Sequence, residues 1–146
     1  MKPDFLTPIN AGYVIACADV NDNYGVAAVL VGSDIRVHKV TRTELSAEYR
    51  TIPNPVIYQP LYGFAVLSDG NILFMCAGGT FDDYDYTYNM GLAVYALSPS
   101  LALITSETFV IPRVEFVNDA NSTDFQVLVD GDQVHGFFMD KGVFYA

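Results

Sequence analysis

The chain has 146 residues, of which 51% are hydrophobic and 16% are charged, and this length suits one domain with a core of its own. Seventeen acidic against seven basic residues give a formal net charge of −10, which repels polyanions and excludes nucleic acid as an expected partner. No apolar run approaches the roughly 18–20 residues that cross a bilayer, so we expect a soluble protein without membrane insertion.

Composition also bears on assembly and location. With so little charge, a monomer of this size would leave apolar surface in water, so we expect self-association. The N-terminal stretch MKPDFLTP lacks the apolar core of a signal peptide, and we expect no export signal.

The first third of the chain predicts strands. Residues 13–20 (YVIACADV) form a nearly continuous apolar run, which indicates a strand covered on both faces. A hairpin follows over residues 24–37 with Gly32 at its turn, and alternation in its second arm predicts one solvent-facing face. Residues 41–50 are the only helix-compatible stretch, but they lack a clean 3.6-residue period, so we interpret them as a strand.

The strongest local signal is the hairpin over residues 62–77 (YGFAVLSDGNILFMCA). Two apolar runs flank the turn SDGN, whose Gly70 can take positive φ. Residues 123–137 are a weaker copy with Gly131 at the turn. Between the two hairpins, residues 77–91 (AGGTFDDYDYTYNMG) interrupt the pattern as an insertion. Further short strands are predicted over residues 91–97, 101–104, 108–111 and 114–117.

The turn glycines of the three predicted hairpins, Gly32, Gly70 and Gly131, divide the chain into three imperfect repeat units. They lie near residues 5–49, 50–108 and 109–146 of a single all-β domain, and they resemble the four-stranded blades of β-propellers. Because a propeller ring needs roughly four to eight blades, this resemblance implies that three blades close through oligomerisation. The alternative fold is an antiparallel β-sandwich or jelly roll, whose hairpins look alike because strand and turn lengths are similar.

The stretch FDDYDYTY is the candidate ligand-binding site. Tyrosine rings give large contact area against a sugar or a protein, and carboxylates accept hydrogen bonds from hydroxyl groups. The alternative is a plain hairpin edge with tyrosines on one face and aspartates on the other. The candidate residues are Phe81, Asp82, Asp83, Tyr84, Asp85, Tyr86 and Tyr88.

Two segments are similar in spacing to a calcium loop. One places oxygen-bearing residues at Asp83, Asp85, Thr87 and Asn89, and the other is the run over residues 19–23. Both lack the glycine and the bidentate glutamate of the full loop, and Asx turns explain them equally well. We therefore expect no metal or other cofactor, with calcium as the alternative.

Few residues favour catalysis. Cys17 and Cys76 lie in apolar strands, where we expect reduced, buried thiols; a disulfide is the alternative if the two strands are neighbours. A Cys76 nucleophile would need His38 or His135 beside it, and no local signature supports such a pair. We expect a protein that is not an enzyme.

Small size, scarce charge and tyrosine- and aspartate-rich loops are similar to those of bacteriophage tail, fibre or capsid-surface proteins. This resemblance implies a non-enzymatic structural or binding protein of a virion that works as an oligomer and contacts a protein or glycan surface. The alternative is a lectin-like carbohydrate-binding module that uses Tyr84, Tyr86 and Tyr88. A third hypothesis is a glycoside hydrolase-like enzyme with Asp82 and Asp85 as its acid–base pair.

Overall fold

The computed structural model describes residues 12–41, 44–53, 57–82, 87–115, 125–130, 133–140 and 143–145. Over these residues the chain forms β-strands and turns, with no α-helix. Contacts divide the chain into two compact units, Met1–Asn54 and Pro55–Ala146, and each is built from antiparallel strands.

The first unit contains an up-and-down sheet of four strands: β1 (Tyr13–Asp19), β2 (Gly25–Val31), β3 (Asp34–Val40) and β4 (Leu45–Pro53), paired in that order. Residues 26–29 of the interior strand β2 are all buried, because β2 has a neighbour on both sides and an apolar sequence. Ile35 faces Ile52 across β3 and β4, and both are at most 1% exposed. The hairpin predicted at Gly32 is confirmed as β2–β3, with the glycine at φ +60°.

The strand interpretation of residues 41–50 is confirmed from Leu45 onward as β4, and residues 42–43 lie outside the described residues. The prediction that β1 is covered on both faces is wrong, since Tyr13 is 69% exposed and Cys17 is also exposed. β1 is an outer strand with β2 on one side only, and its pairing shifts register between Val14 and Ala16. Apolar composition alone does not distinguish such a strand from an interior one.

The second unit contains two sheets. Four strands pair in chain order: β5 (Tyr58–Val66), β6 (Ile72–Asp82), β7 (Thr87–Leu97) and β8 (Leu103–Glu115). Three more form the order β11-β10-β9: β9 (Phe125–Asp130), β10 (Gln133–Asp140) and β11 (Val143–Tyr145). Strand β9 lies against β5, which leaves β8 as the outer strand on the opposite side of the four-stranded sheet.

The central hairpin is confirmed as β5–β6. The Leu67 amide donates to the Asn71 carbonyl at 2.8 Å, and the Gly70 amide donates to the Leu67 carbonyl at 3.0 Å. Gly70 has φ +86°, the conformation that its turn position requires. The third hairpin is confirmed as β9–β10, and Gly131 lies outside the described residues.

The prediction that residues 77–91 interrupt the sheet is wrong. β6 and β7 stay in continuous register from Ile72 opposite Leu97 to Asp82 opposite Thr87. Residues 77–82 and 87–91 therefore belong to two paired strands rather than to an insertion, and residues 83–86 lie outside the described residues.

The short strands predicted between residues 101 and 117 belong to one strand, β8, over residues 103–115, and residues 116–117 lie outside the described residues. Its pairing with β7 continues through two register shifts, at Ala96/Leu97 and at Asn89/Gly91 of β7. Pro112 falls within the second shift, where a proline does not have to donate to the ladder. The strand therefore continues past Pro112 instead of ending there.

Both faces of the β5–β8 sheet contribute to the core of the second unit. On one face the fully buried Phe74 ring lies 5.1–6.3 Å from three others, those of Tyr62, Phe64 and Tyr95. On the other face, Val134 of β10 packs against a buried cluster of three residues, Ala65, Met75 and Ala77. The three-stranded sheet thus covers part of the four-stranded one.

The all-β, antiparallel fold class is confirmed. Four-stranded antiparallel sheets are the components of a β-sandwich, and the propeller-like alternative is not needed to account for them. The single domain with three repeats stays a prediction.

Candidate functional site

The outer strand β8 of the second unit carries a concentration of exposed apolar side chains. Every residue from 102 to 110 is exposed, and four large apolar side chains of this stretch expose 45–55% of their surface: Leu103, Ile104, Phe109 and Val110. Half of the exposed large hydrophobic residues in the described part of the chain lie on this strand. Such a concentration of apolar surface on one edge marks a contact surface.

The middle of β8 is a regular strand between two irregular ends. From Thr105 opposite Ala96 to Val110 opposite Gly91, six consecutive pairs with β7 show no register shift. The other side of this ladder faces no described strand. Alternate residues within 105–110 therefore direct their backbone N–H and C=O groups to the side on which a further strand could pair.

The side chains of this segment do not protect the edge. Outer strands are usually blunted by lysine, proline or inward-pointing charge, but residues 105–110 (TSETFV) include a single charged residue, Glu107. Short hydroxyl, β-branched and aromatic side chains suit a pleated surface. We name residues 105–110 the open edge.

The turn before β8 fixes where the strand starts. The Ser98 amide donates to the Ala102 carbonyl and the Leu101 amide to the Ser98 carbonyl, both at 2.8 Å. The Ala102 amide also donates to the Ser98 hydroxyl at 3.0 Å. Leu101 takes φ +66° and is only 2% exposed, so its buried side chain anchors the turn.

The open edge was missed at the sequence level because strand order is a non-local property. Apolar and β-branched residues over 103–111 (LITSETFVI) indicate a strand, but not that one side lacks a neighbour. The one available signal was the absence of lysine and proline within the segment.

Three residues of the predicted tyrosine- and aspartate-rich site, Phe81, Asp82 and Tyr88, lie in the last described pairs between β6 and β7. The backbone places Phe81 opposite Tyr88 and Asp82 opposite Thr87. The other four candidate residues, Asp83, Tyr84, Asp85 and Tyr86, lie outside the described residues. The binding site therefore stays a prediction.

The acidic run over residues 19–23 lines a pocket of about 380 Å³, together with Tyr24 and Thr41. The Asn21 side-chain oxygen accepts hydrogen bonds from the amides of Asn23 at 2.8 Å and Tyr24 at 3.2 Å. This geometry is an Asx turn, the alternative to a calcium loop over residues 19–23. No group of three or more histidine, cysteine, aspartate or glutamate residues that could hold a metal ion occurs within the described ranges.

Among the described residues, nothing supports a cysteine–histidine nucleophilic pair. Both thiols are free; Cys76 is buried as expected, whereas the prediction of a buried Cys17 is wrong because its strand lies at an edge. Burial raises the pKa of the Cys76 thiol to about 12, so the group is protonated at neutral pH and supplies no thiolate. His135 is exposed.

His38 is a structural residue of the first unit. Its Nδ1 donates to the Ser46 carbonyl at 2.9 Å, and its ring centroid lies 4.8 Å from that of Tyr49. The Arg36 guanidinium lies 4.8 Å above the same tyrosine ring. The second arm of the first hairpin is β3, and it was predicted to keep one face in water. That prediction is wrong at His38, which is 8% exposed because Tyr49 covers it.

Comparisons with known proteins assign no relative: no family model, no curated protein and no solved structure matches this chain. Over the described residues, no helix is long and apolar enough to span a membrane.

Proposed function

We propose that this chain is a non-enzymatic structural or binding protein that works as an oligomer. The observation that supports this proposal is the exposed outer strand β8, with four apolar side chains exposed by 45–55% beside an unprotected ladder. A monomer would leave both the apolar surface and the backbone groups in water, where they favour association with another strand.

The cysteine and histidine side chains of the described residues also favour a non-enzymatic role. Cys76 is the buried thiol of the chain and is protonated at neutral pH. His38 is engaged with the Ser46 carbonyl and packs on Tyr49. Catalysis by a nucleophile or by an acid–base pair has no support among these groups.

A component of a viral particle, such as a tail, fibre or capsid-surface protein, is the specific form of this proposal. Particle components work through contacts between copies, and they need neither a cofactor nor a catalytic pocket. Scarce charge and exposed strand edges suit such a role, since both favour contact with other chains.

The test is the solution mass of the purified chain, measured by light scattering at low and at high micromolar concentration. The proposal predicts a mass of at least twice the 16.0 kDa of one chain, rising with concentration if association is weak. A constant mass of 16.0 kDa at every concentration would overturn it.

A lectin-like carbohydrate-binding module is the second candidate. The observation in its favour is that Phe81 and Tyr88 are register partners at the tip of a hairpin, next to Asp82 and Thr87. Hairpin tips commonly carry recognition residues, and tyrosine and aspartate together suit a sugar.

Titration with neutral oligosaccharides, followed by NMR amide shifts, tests this second candidate. Binding predicts shifts confined to residues 81–90, and Tyr88→Ala should abolish them. Tyr13→Ala, which removes an exposed tyrosine from the other unit, is the control and should leave binding unchanged. The absence of shifts with every sugar would remove the candidate.

A further inference from the structure

We propose that the open edge of β8 binds an extended segment of a partner protein that is rich in lysine or arginine and adds to the sheet as a further strand. This inference rests on the binding role in the proposed function and names the partner of β8. Alternate residues within 105–110 supply the backbone groups for strand pairing, and the side chains of Glu107 and Phe109 receive the cations of the partner.

The negative charge of the chain is concentrated in the unit that carries this edge. The second unit, Pro55–Ala146, includes eleven acidic and two basic side chains, a net charge of −9. The first unit, Met1–Asn54, includes six acidic and five basic side chains, a net charge of −1. A cationic segment is therefore attracted to the second unit, whereas another copy of that unit is repelled.

The open edge also offers a carboxylate and an aromatic ring on one face. Side chains alternate along a strand, and residues 105–110 pair with β7 without a register shift, so Glu107 and Phe109 lie on the same face. Both residues are exposed, Phe109 by 50%. A lysine or arginine on an added strand can pair with the carboxylate and lie over the ring at the same time.

The first unit already holds a lysine in this way. The Lys39 Nζ lies 3.2 Å from a Glu48 carboxylate oxygen and 4.9 Å from the centre of the Tyr24 ring. Lys39 is on β3 and Glu48 is on the paired strand β4, so the ion pair joins neighbouring strands. At β8 the carboxylate and the ring come from this chain, and the partner supplies the cation.

The two outer strands of the first unit fit a cationic segment less well. β4 carries Arg50 and ends at Pro53, and a like charge or a proline on an outer strand opposes the addition of such a segment. The pairing of β1 shifts register between Val14 and Ala16, and its one acidic residue, Asp19, is at the end of the strand.

The first experiment measures the binding of a synthetic peptide of about eight residues in which threonine and lysine alternate, the lysine peptide. Fluorescence anisotropy should show that it binds the full chain. A peptide with glutamine in place of each lysine should bind at least about tenfold more weakly, because it lacks the charge. A third peptide keeps the lysines but is N-methylated on all backbone amides, so it cannot donate to a ladder. It should also bind at least about tenfold more weakly.

The second experiment compares the same substitution in the two units. Glu107→Lys reverses the charge on the open edge, and Glu44→Lys makes the same change in net charge at an exposed position of the first unit. Glu107→Lys should bind the lysine peptide at least about tenfold more weakly than the wild type, a change of about 1.4 kcal/mol, and Glu44→Lys should stay within about twofold. Phe109→Leu removes the ring and should weaken binding about two- to fivefold. Circular dichroism checks that the variants fold.

The outcomes separate this inference from the proposed function. If Glu107→Lys and Glu44→Lys weaken binding equally, the peptide responds to net charge alone and the β8 site is wrong. If the N-methylated peptide binds as well as the lysine peptide, strand addition is wrong, and a wild type that does not bind the lysine peptide overturns the inference. The mass of the chain without peptide, measured by light scattering, tests self-association independently of these results.

Discussion

Gly70 and Leu101 occupy the same position in two neighbouring turns, although one is a glycine and the other a buried leucine. In each turn this residue donates its amide to the carbonyl three residues earlier, at 3.0 Å for Gly70 and 2.8 Å for Leu101. Both have positive φ, +86° and +66°. A Cβ on Gly70 would lie 3.4 Å from Pro99 of the second turn, so the two turns lie against each other.

Leu101 adopts an unfavourable backbone conformation, and the burial of its side chain offsets the energetic cost. Left-handed backbone costs a non-glycine residue roughly 1–2 kcal/mol, whereas burying a leucine side chain stabilises by about 1.5–3 kcal/mol. Leu101→Gly should therefore destabilise the protein despite relieving the strain. Leu101→Ala keeps the strain and loses the packing, so we expect the larger loss, about 2–4 kcal/mol, in urea unfolding. A Leu101→Gly variant as stable as the wild type would contradict this explanation.

Gly25 and Gly32 should respond differently to alanine. A Cβ on Gly25 would lie 2.7 Å from the Ala18 carbonyl oxygen, so backbone atoms of β1 must move. Around Gly32, at φ +60°, nothing lies within 4 Å of the added atom, and only the backbone preference opposes it. Thermal unfolding should show about 1 kcal/mol of destabilisation for Gly32→Ala and about 2–3 kcal/mol for Gly25→Ala. The reverse order would show that β1 is not held against β2 as described.

The buried Cys76 makes stability fall at alkaline pH. Its pKa is about 12 in the folded protein against an ordinary 9.0, because burial penalises the thiolate. Below about pH 9 the contribution of this group to stability is complete, and it is lost as the pH rises towards 12, because only the unfolded chain releases the proton. Burial raises the pKa of Tyr95 as well, with a smaller contribution from the nearby Cys76 charge, and this acts in the same direction.

Urea unfolding between pH 8 and 11 tests the role of Cys76. The loss of stability should be steeper for the wild type than for Cys76→Ala, by at most about 1.4 kcal/mol per pH unit. Cys17→Ala removes an exposed thiol and should keep the wild-type slope. Equal slopes for all three proteins would mean that Cys76 is accessible to water.

His38 stabilises the β3–β4 pair. Replacing it with alanine removes the 2.9 Å hydrogen bond to the Ser46 carbonyl and the ring contact with Tyr49. We expect about 1–3 kcal/mol of destabilisation, since a part-buried acceptor loses its partner and a ring contact is removed. His135→Ala, at an exposed position of β10, should change the free energy of unfolding by less than about 0.5 kcal/mol. Similar effects for both variants would contradict the structural role of His38.

The sequence predicts the hairpins well because their turns are local. Gly32 and Gly70 sit in positive-φ positions between apolar runs, and both hairpins form there. The errors concern relations between distant residues. The apolar run in β1 indicates a covered strand, but its cover depends on which strands flank it. The open edge has the same origin, because strand order decides whether residues 105–110 have a neighbour on both sides.

Amide hydrogen exchange, followed by mass spectrometry without and with the lysine peptide, tests the central claim most directly. We expect fragments covering residues 105–110 to gain protection when the peptide is added, because their outward-facing amides become paired with the added strand. Fragments covering the interior strand β6 should exchange equally slowly in both samples. Protection that rises elsewhere and leaves residues 105–110 unchanged would contradict the β8 site, and no change anywhere would contradict strand addition itself.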